Sequence, residues 1–228
     1  MKRACVVLGG DRDNVRIEGY DLVICADSGY ERLRKGDRPT HLVGDMDSIG
    51  ASALKEAVSS GIILSIHPKE KDLSDGEAAV MTAISEGADD ITIEGTFGDR
   101  SDHLLSTFHI LHLIPRGIAS RIRLGKDVIS LIRGGEKVTI EEPPRVISLI
   151  PASTGTTVTT EGLKYALRCE KLDLGSTRGI HNEPSSERPS LTVHSGSVYL
   201  VLSGDADSEW AERGVDTSPR PISPKERP

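Results

Sequence analysis

From Ala4 to Gly125 the chain alternates short apolar runs with helical stretches, and four of its loops are acidic. The runs are ACVVL, DLVICAD, HLVGD, IILSIHP, DITIEG and SRIRLG, with helices expected near 30–35, 51–59, 73–86 and 104–113. Such alternation is the pattern of a mostly parallel sheet flanked by helices. It constrains the ligand site as well as the fold, because open sheets of this kind bind their ligands outside the carboxyl ends of the strands. The acidic loops are Ala26-Asp27-Ser28-Gly29, Gly44-Asp45-Met46-Asp47-Ser48, Lys71-Asp72-Leu73-Ser74-Asp75 and Gly98-Asp99-Arg100-Ser101-Asp102-His103. Two carboxylates about 4 Å apart repel by roughly 4 kcal/mol at an effective dielectric near 20. Acidic loops converging on one crevice therefore imply a divalent cation between them, with magnesium the expected ion.

After about residue 126 the pattern changes. DVISLI, KVTI, RVISLIP, TTVTT, LKYALRCE, LTVHS and SVYLVLS follow one another with Gly, Pro and Ser clusters between them and no helical stretch. Such a series reads as a β-sandwich or small barrel. The expected organisation is thus α/β: a Rossmann-like, mostly parallel domain over 1–130, then a smaller β-sandwich domain over 131–204. The change of character lies between Gly125 and Glu136. Residues 205–228 carry four prolines, mixed charge and few large apolar side chains, and are expected to be disordered.

Composition narrows the partners. Across 228 residues the formal net charge is -7, and Lys and Arg are scattered rather than clustered, which argues against a nucleic-acid surface. No apolar stretch approaches the ~20 residues of a membrane span, and the first apolar run is too short for a signal peptide. Cys5, Cys25 and Cys169 lack metal or redox spacing, and the first two fall inside strand patterns, as expected of buried thiols in a reducing cytoplasm.

Asp45 and Asp47 stand at i and i+2, and on an extended segment such residues point to the same side, with Gly44 allowing close approach. Asp47 or Ser48 is equally suited to capping the helix expected from Ala51. Asp75 lies one turn into a helix that Ser74 or Asp72 is placed to cap, and Lys71 precedes it. Arg100 suits a bidentate grip on phosphate, with Asp102 placed to hold that guanidinium. His109 and His112 read as helix-surface or core residues, whereas His103 is a candidate for the site. No Walker A sequence occurs, so any nucleotide binds without a P-loop. Gly9-Gly10-Asp11 offers a backbone turn suited to a close approach by phosphate, although GlyGly after a strand is equally an ordinary turn.

The joint order of these segments resembles one family. ADSGYERL (26–33), PTHLVGDMDSI (39–49), KDLSD (71–75) and GDRSDH (98–103) resemble thiamine pyrophosphokinase, as do TEGLKYAL (160–167) and LGSTRGIHNE (174–183) in the second domain. The resemblance implies transfer of the diphosphate of ATP to the hydroxyl of thiamine, with magnesium, by a homodimer holding thiamine between subunits. It implies Asp45, Asp47 and Asp75 as metal ligands and Asp27, Lys71 and Asp72 as nucleotide-site residues. Arg100 and Asp102 join the catalytic group, and Ser176 and Asn182 fall in the segment lining the thiamine pocket. Ser28, Asp99 and His181 depart from the family pattern. A diphosphokinase for another alcohol, such as a hydroxymethylpterin, and a non-catalytic nucleotide or thiamine sensor are the alternatives. Phe97, Tyr165 and Tyr199 are the aromatic candidates to stack on a thiamine ring.

Overall fold

The computed structural model describes residues 1–11, 14–68, 72–96, 98, 100–204 and 217–223. Lys71, Phe97 and Asp99, singled out above, lie outside the described residues. The chain divides into two compact units, Met1–Leu124 and Gly125–Pro228. The division precedes strand β7 (Asp127–Arg133), through which the expected boundary at 130 would cut. Among the described residues no helix is long and apolar enough to cross a membrane.

The first unit is built from six parallel strands, β1 (Arg3–Val7), β2 (Leu22–Ala26), β3 (His41–Gly44), β4 (Ile63–Ile66), β5 (Asp90–Glu94) and β6 (Ala119–Leu124). Their order is β4-β3-β2-β1-β5-β6. The chain steps outward from β1 to β4, then returns to place β5 on the other side of β1. That reversal creates the crevice where open α/β sheets bind ligands. Every residue of β2 and β5 is buried, as expected of parallel strands covered on both faces. Cys5 and Cys25 pack in the apolar cluster beside β1 and β2, and burial pushes the Cys25 thiol up, away from reactivity.

Helices α1 (Ala51–Ser59), α2 (Asp75–Ser85) and α3 (Ser101–Ile110) follow β3, β4 and β5. The helix expected near 30–35 is instead a 3-10 segment, Asp27–Arg32, starting directly at the end of β2. Two buried ion pairs join β5 and β6: Arg121 to Asp90 at 2.9 Å and Arg123 to Glu94 at 2.8 Å.

In the second unit, β9 (Val146–Pro151) and β7 flank β13 (Ser197–Ser203) in an antiparallel sheet. A second antiparallel sheet has the order β11-β10-β12-β8-β14, with β8 at Glu136–Thr139, β10 at Thr156–Glu161, β11 at Glu170–Leu172, β12 at Ser190–Ser195 and β14 at Arg220–Pro221. Alternate residues of both sheets, among them Ile132, Leu149, Val158, Val193 and Leu200, form one core. Of the strand expected over LKYALRCE only Glu170 is retained, as the first residue of Glu170–Leu172, because Gly162 (φ 68°) turns the chain out of the ladder. The expectation of a wholly disordered tail is corrected for 217–223. Arg220 and Pro221 pair with Lys137 and Glu136, Thr217 is buried against the Ser130 hydroxyl at 2.6 Å, and Ile222 donates its N–H to Gly135.

Candidate active site

A cavity of about 480 Å³ opens at the carboxyl ends of β1, β2 and β5, between the start of α2 and one side of α3. Its floor follows from the strand reversal. Leu8 and Gly10 donate backbone N–H groups to Glu94 and Gly95, tying the exit of β1 to that of β5. Gly95 has φ 70°, and a Cβ there would overlap the Leu8 carbonyl oxygen, so the close approach requires glycine. Gly9, Gly10 and Asp11 line the cavity, as does Ser28 in the loop after β2.

Three carboxylates meet at this end of the sheet. Asp27, Asp45 and Asp75 each offer an oxygen within 4.8 Å of the other two. Asp27 comes from the start of the 3-10 segment, Asp45 follows β3, and Asp75 is the first residue of α2, behind its N-cap Ser74, whose hydroxyl accepts from the Glu77 N–H. Asp27 is buried and has φ 46°, a conformation that non-glycine residues rarely adopt. Its Oδ2 accepts from both the hydroxyl and the backbone N–H of Ser48, while its buried Oδ1 has no hydrogen-bond partner among the described residues. Burial raises the Asp27 pKa, the Ser48 hydrogen bonds oppose the rise, and the charges of Asp75 and Asp45 add to it. A buried unpaired carboxylate oxygen beside two further carboxylates fits a hard divalent cation, which takes oxygen ligands and retains water.

The structure brings Asp27 into this group in place of Asp47. Met46 has φ 62° and the Asp47 N–H bonds back to Asp45 Oδ1 at 3.1 Å, so the chain bends over 46–49 and does not continue as an extended segment. The i, i+2 argument therefore does not apply there, and Asp47 is exposed. Neither Asp47 nor Ser48 caps α1, whose N-cap is Gly50 with no side-chain hydrogen bond. Asp72 is exposed, outside both the carboxylate group and the cavity wall.

Arg100 lines the cavity at the N-terminus of α3 and grips Asp102 through Nη2–Oδ2 at 2.6 Å and Nε–Oδ1 at 3.3 Å. That hydrogen bonding is the main cause holding the exposed Asp102 carboxyl down at about 2. The α3 wall continues through His103, Ser106, Thr107 and Ile110, spaced to share one helix face. His109 and His112 are exposed and stack on each other, away from this wall. Thr96 was not legible as a site residue. It lines the cavity with a buried hydroxyl that has no hydrogen-bond partner among the described residues.

The second-unit candidates have different roles. Asn182 is buried, and its side chain is engaged with backbone: Oδ1 accepts from Tyr165 and Glu183, and Nδ2 donates to the Tyr165 carbonyl. It fixes the Tyr165 backbone and leaves Tyr165 itself 62% exposed. Ser176 is half-buried, and its hydroxyl accepts from the Arg178 N–H. His181, at φ 57°, is exposed and held through its N–H to Ser148.

Known proteins match most of this chain. The family model "Thiamin pyrophosphokinase, catalytic domain" matches residues 15–122, and "Thiamin pyrophosphokinase, vitamin B1 binding domain" matches 137–200. Thiamine pyrophosphokinase of Bacillus subtilis is 30% identical over 217 residues, covering 90% of this chain and all of that protein. A crystal structure of the Bacillus subtilis thiamine pyrophosphokinase superposes with a TM-score of 0.79 at 28% identity, over 90% of this chain and 100% of the other. Thiamin pyrophosphokinase from Geobacillus thermodenitrificans gives 0.76 at 26% identity, over 90% and 99%.

Proposed function

Since the chain belongs to the thiamine pyrophosphokinase family, we propose that it transfers the diphosphate of ATP to the hydroxyl of thiamine, forming thiamine diphosphate and AMP. The observation that carries this reading is the Asp27, Asp45 and Asp75 group at the strand reversal, beside a cavity with Arg100 on its wall. ATP is bound by the first unit, with its phosphates toward the Gly9-Gly10 turn and the N-terminus of α2, where backbone N–H groups and the helix dipole favour anions. Asp27, Asp45 and Asp75 hold magnesium, which when bound neutralises phosphate charge and leaves phosphorus open to in-line attack.

The protein's own contribution is positioning and electrostatics. Arg100 meets charge that grows on the leaving AMP phosphate, and Asp102 keeps its guanidinium oriented. Lys71 assists at the same phosphate. Asp47 and Asp72 are exposed on the loops that carry Asp45 and Asp75 and stand ready to meet the metal-nucleotide complex from its solvent side. In the second unit, Asn182 shapes the thiamine pocket by fixing the Tyr165 backbone, and Ser176 contributes a hydroxyl to that segment. A homodimer is supported by the exposed apolar side chains of Ile150, Tyr165, Leu174 and Ile180, surface that a second copy would cover. A cytoplasmic location is supported by three free cysteines, two of them buried as core residues.

Replacing Asp45 or Asp75 by Asn tests the assignment. Thiamine-dependent AMP release is expected to vanish while the circular dichroism spectrum is kept; near-normal turnover in either variant removes the metal role.

A further inference from the structure

Two features of the carboxylate group are unexplained by ligand geometry alone. Asp27 sits in a left-handed backbone conformation, and the two oxygens of its carboxylate are treated unequally: Oδ2 is doubly hydrogen-bonded and Oδ1 is buried without a partner among the described residues. Both bonds to Oδ2 come from Ser48, 21 residues further along the chain.

Ser48 reaches Asp27 because of how the loop after β3 is bent. The Asp47 N–H folds back on Asp45 Oδ1, and Met46 takes φ 62°, which turns the Ser48 N–H and hydroxyl toward the end of β2. The hydroxyl is not consumed in capping α1, whose N-cap is Gly50. One loop thus supplies a carboxylate of the group, Asp45, and the clamp on another, Asp27. A carboxylate with one oxygen tied down has lost most of its rotational freedom, so its second oxygen is presented at a fixed point before any ligand arrives.

We infer that Ser48 is a positioning residue for the cation site, locking Asp27 through Oδ2 so that Oδ1 faces the metal. This rests on the magnesium reading given above. The opposing possibility is that the Ser48 hydroxyl is itself a ligand, and a double-mutant cycle separates the two.

The experiment measures Mn²⁺ affinity by electron paramagnetic resonance, without nucleotide, in wild type, Ser48→Ala, Ser48→Thr, Asp27→Asn and the double variant Asp27→Asn/Ser48→Ala. Ser48→Ala is expected to weaken Mn²⁺ binding about tenfold or more, the usual effect of removing a group that orients a metal ligand. Ser48→Thr, which keeps the hydroxyl, retains most of the affinity. Once Asp27 is Asn, adding Ser48→Ala changes affinity by less than about twofold, because the clamped carboxylate is already gone. Wild-type affinity in Ser48→Ala overturns the inference, and so does an undiminished loss in the Asp27→Asn background, which makes Ser48 a direct ligand. If wild type itself binds no Mn²⁺, the metal reading fails and the inference falls with it, a result distinct from a Ser48-specific failure.

Discussion

Gly44→Ala probes how tightly the carboxylate group is packed. Gly44 ends β3 at φ +148°, and a Cβ there would lie 3.1 Å from both Asp27 Cβ and Asp75 Oδ1, and 3.3 Å from Asp75 Cγ. Carbon contacts are comfortable at about 3.5–4.0 Å, so the two carboxylates must retreat by a few tenths of an ångström. Alanine at this φ stores about 1–3 kcal/mol of strain. The narrower unfolded ensemble of alanine offsets about 0.4–1 kcal/mol of that, leaving a net destabilisation of about 1–2 kcal/mol. A misplacement near 1 Å costs a reaction about a hundredfold, so the smaller shift here is expected to lower turnover about tenfold and to raise the magnesium concentration needed for half-activity. Urea unfolding measures the first effect, and AMP release titrated with magnesium measures the second. Wild-type stability together with an unchanged magnesium requirement would refute the packing argument.

Three further outcomes follow from particular contacts. Glu94→Ala leaves Arg123 buried without its 2.8 Å partner and is expected to cost about 3–5 kcal/mol in urea unfolding, whereas the double change Glu94→Leu/Arg123→Met recovers most of the loss. Ending the chain after Gly204 removes Ile222 burial and the Thr217–Ser130 bond, and is expected to destabilise the second unit by about 2–4 kcal/mol and to promote association through the uncovered β8 edge, read by calorimetry and light scattering. The third concerns pH. Asp27 has a raised folded pKa, so between the ordinary carboxylate value and the raised one the native metal-free state binds more protons than the unfolded state, and stability falls as pH rises through that window. Asp27→Asn is expected to flatten this slope in EDTA; an identical slope in the variant would assign it to other groups.

Much of the first unit was legible because its code is local. Apolar runs such as LVICA and ITI have the length and branching of buried parallel strands, and their Asp, Gly and Ser endings mark the ligand edge. Which aspartates meet was not local information. Asp27 replaces Asp47 in the group because Met46 turns left-handed, and no composition rule marks a methionine for that conformation. Ser48 has the spacing of an ordinary helix cap, and its partner lies 21 residues away on Asp27. SRIRLG reads as a strand, but the burial of Arg121 and Arg123 depends on acidic residues across the ladder on β5. Asn182 falls in a segment matched to the acceptor pocket, yet its amide is engaged with the backbone of Tyr165, a pairing over 17 residues. In the tail, pattern and structure part where Thr217 and Ile222 find buried positions through a sheet edge contributed by distant β8.

The most direct test of the proposed reaction is to incubate the full chain with ATP, magnesium and thiamine and to quantify AMP, ADP and thiamine diphosphate in the same samples. Transfer of an intact diphosphate predicts AMP and thiamine diphosphate rising one to one, with no thiamine-dependent ADP. Thiamine-dependent ADP with thiamine monophosphate, or no thiamine-dependent AMP from a folded sample that binds ATP, would contradict it.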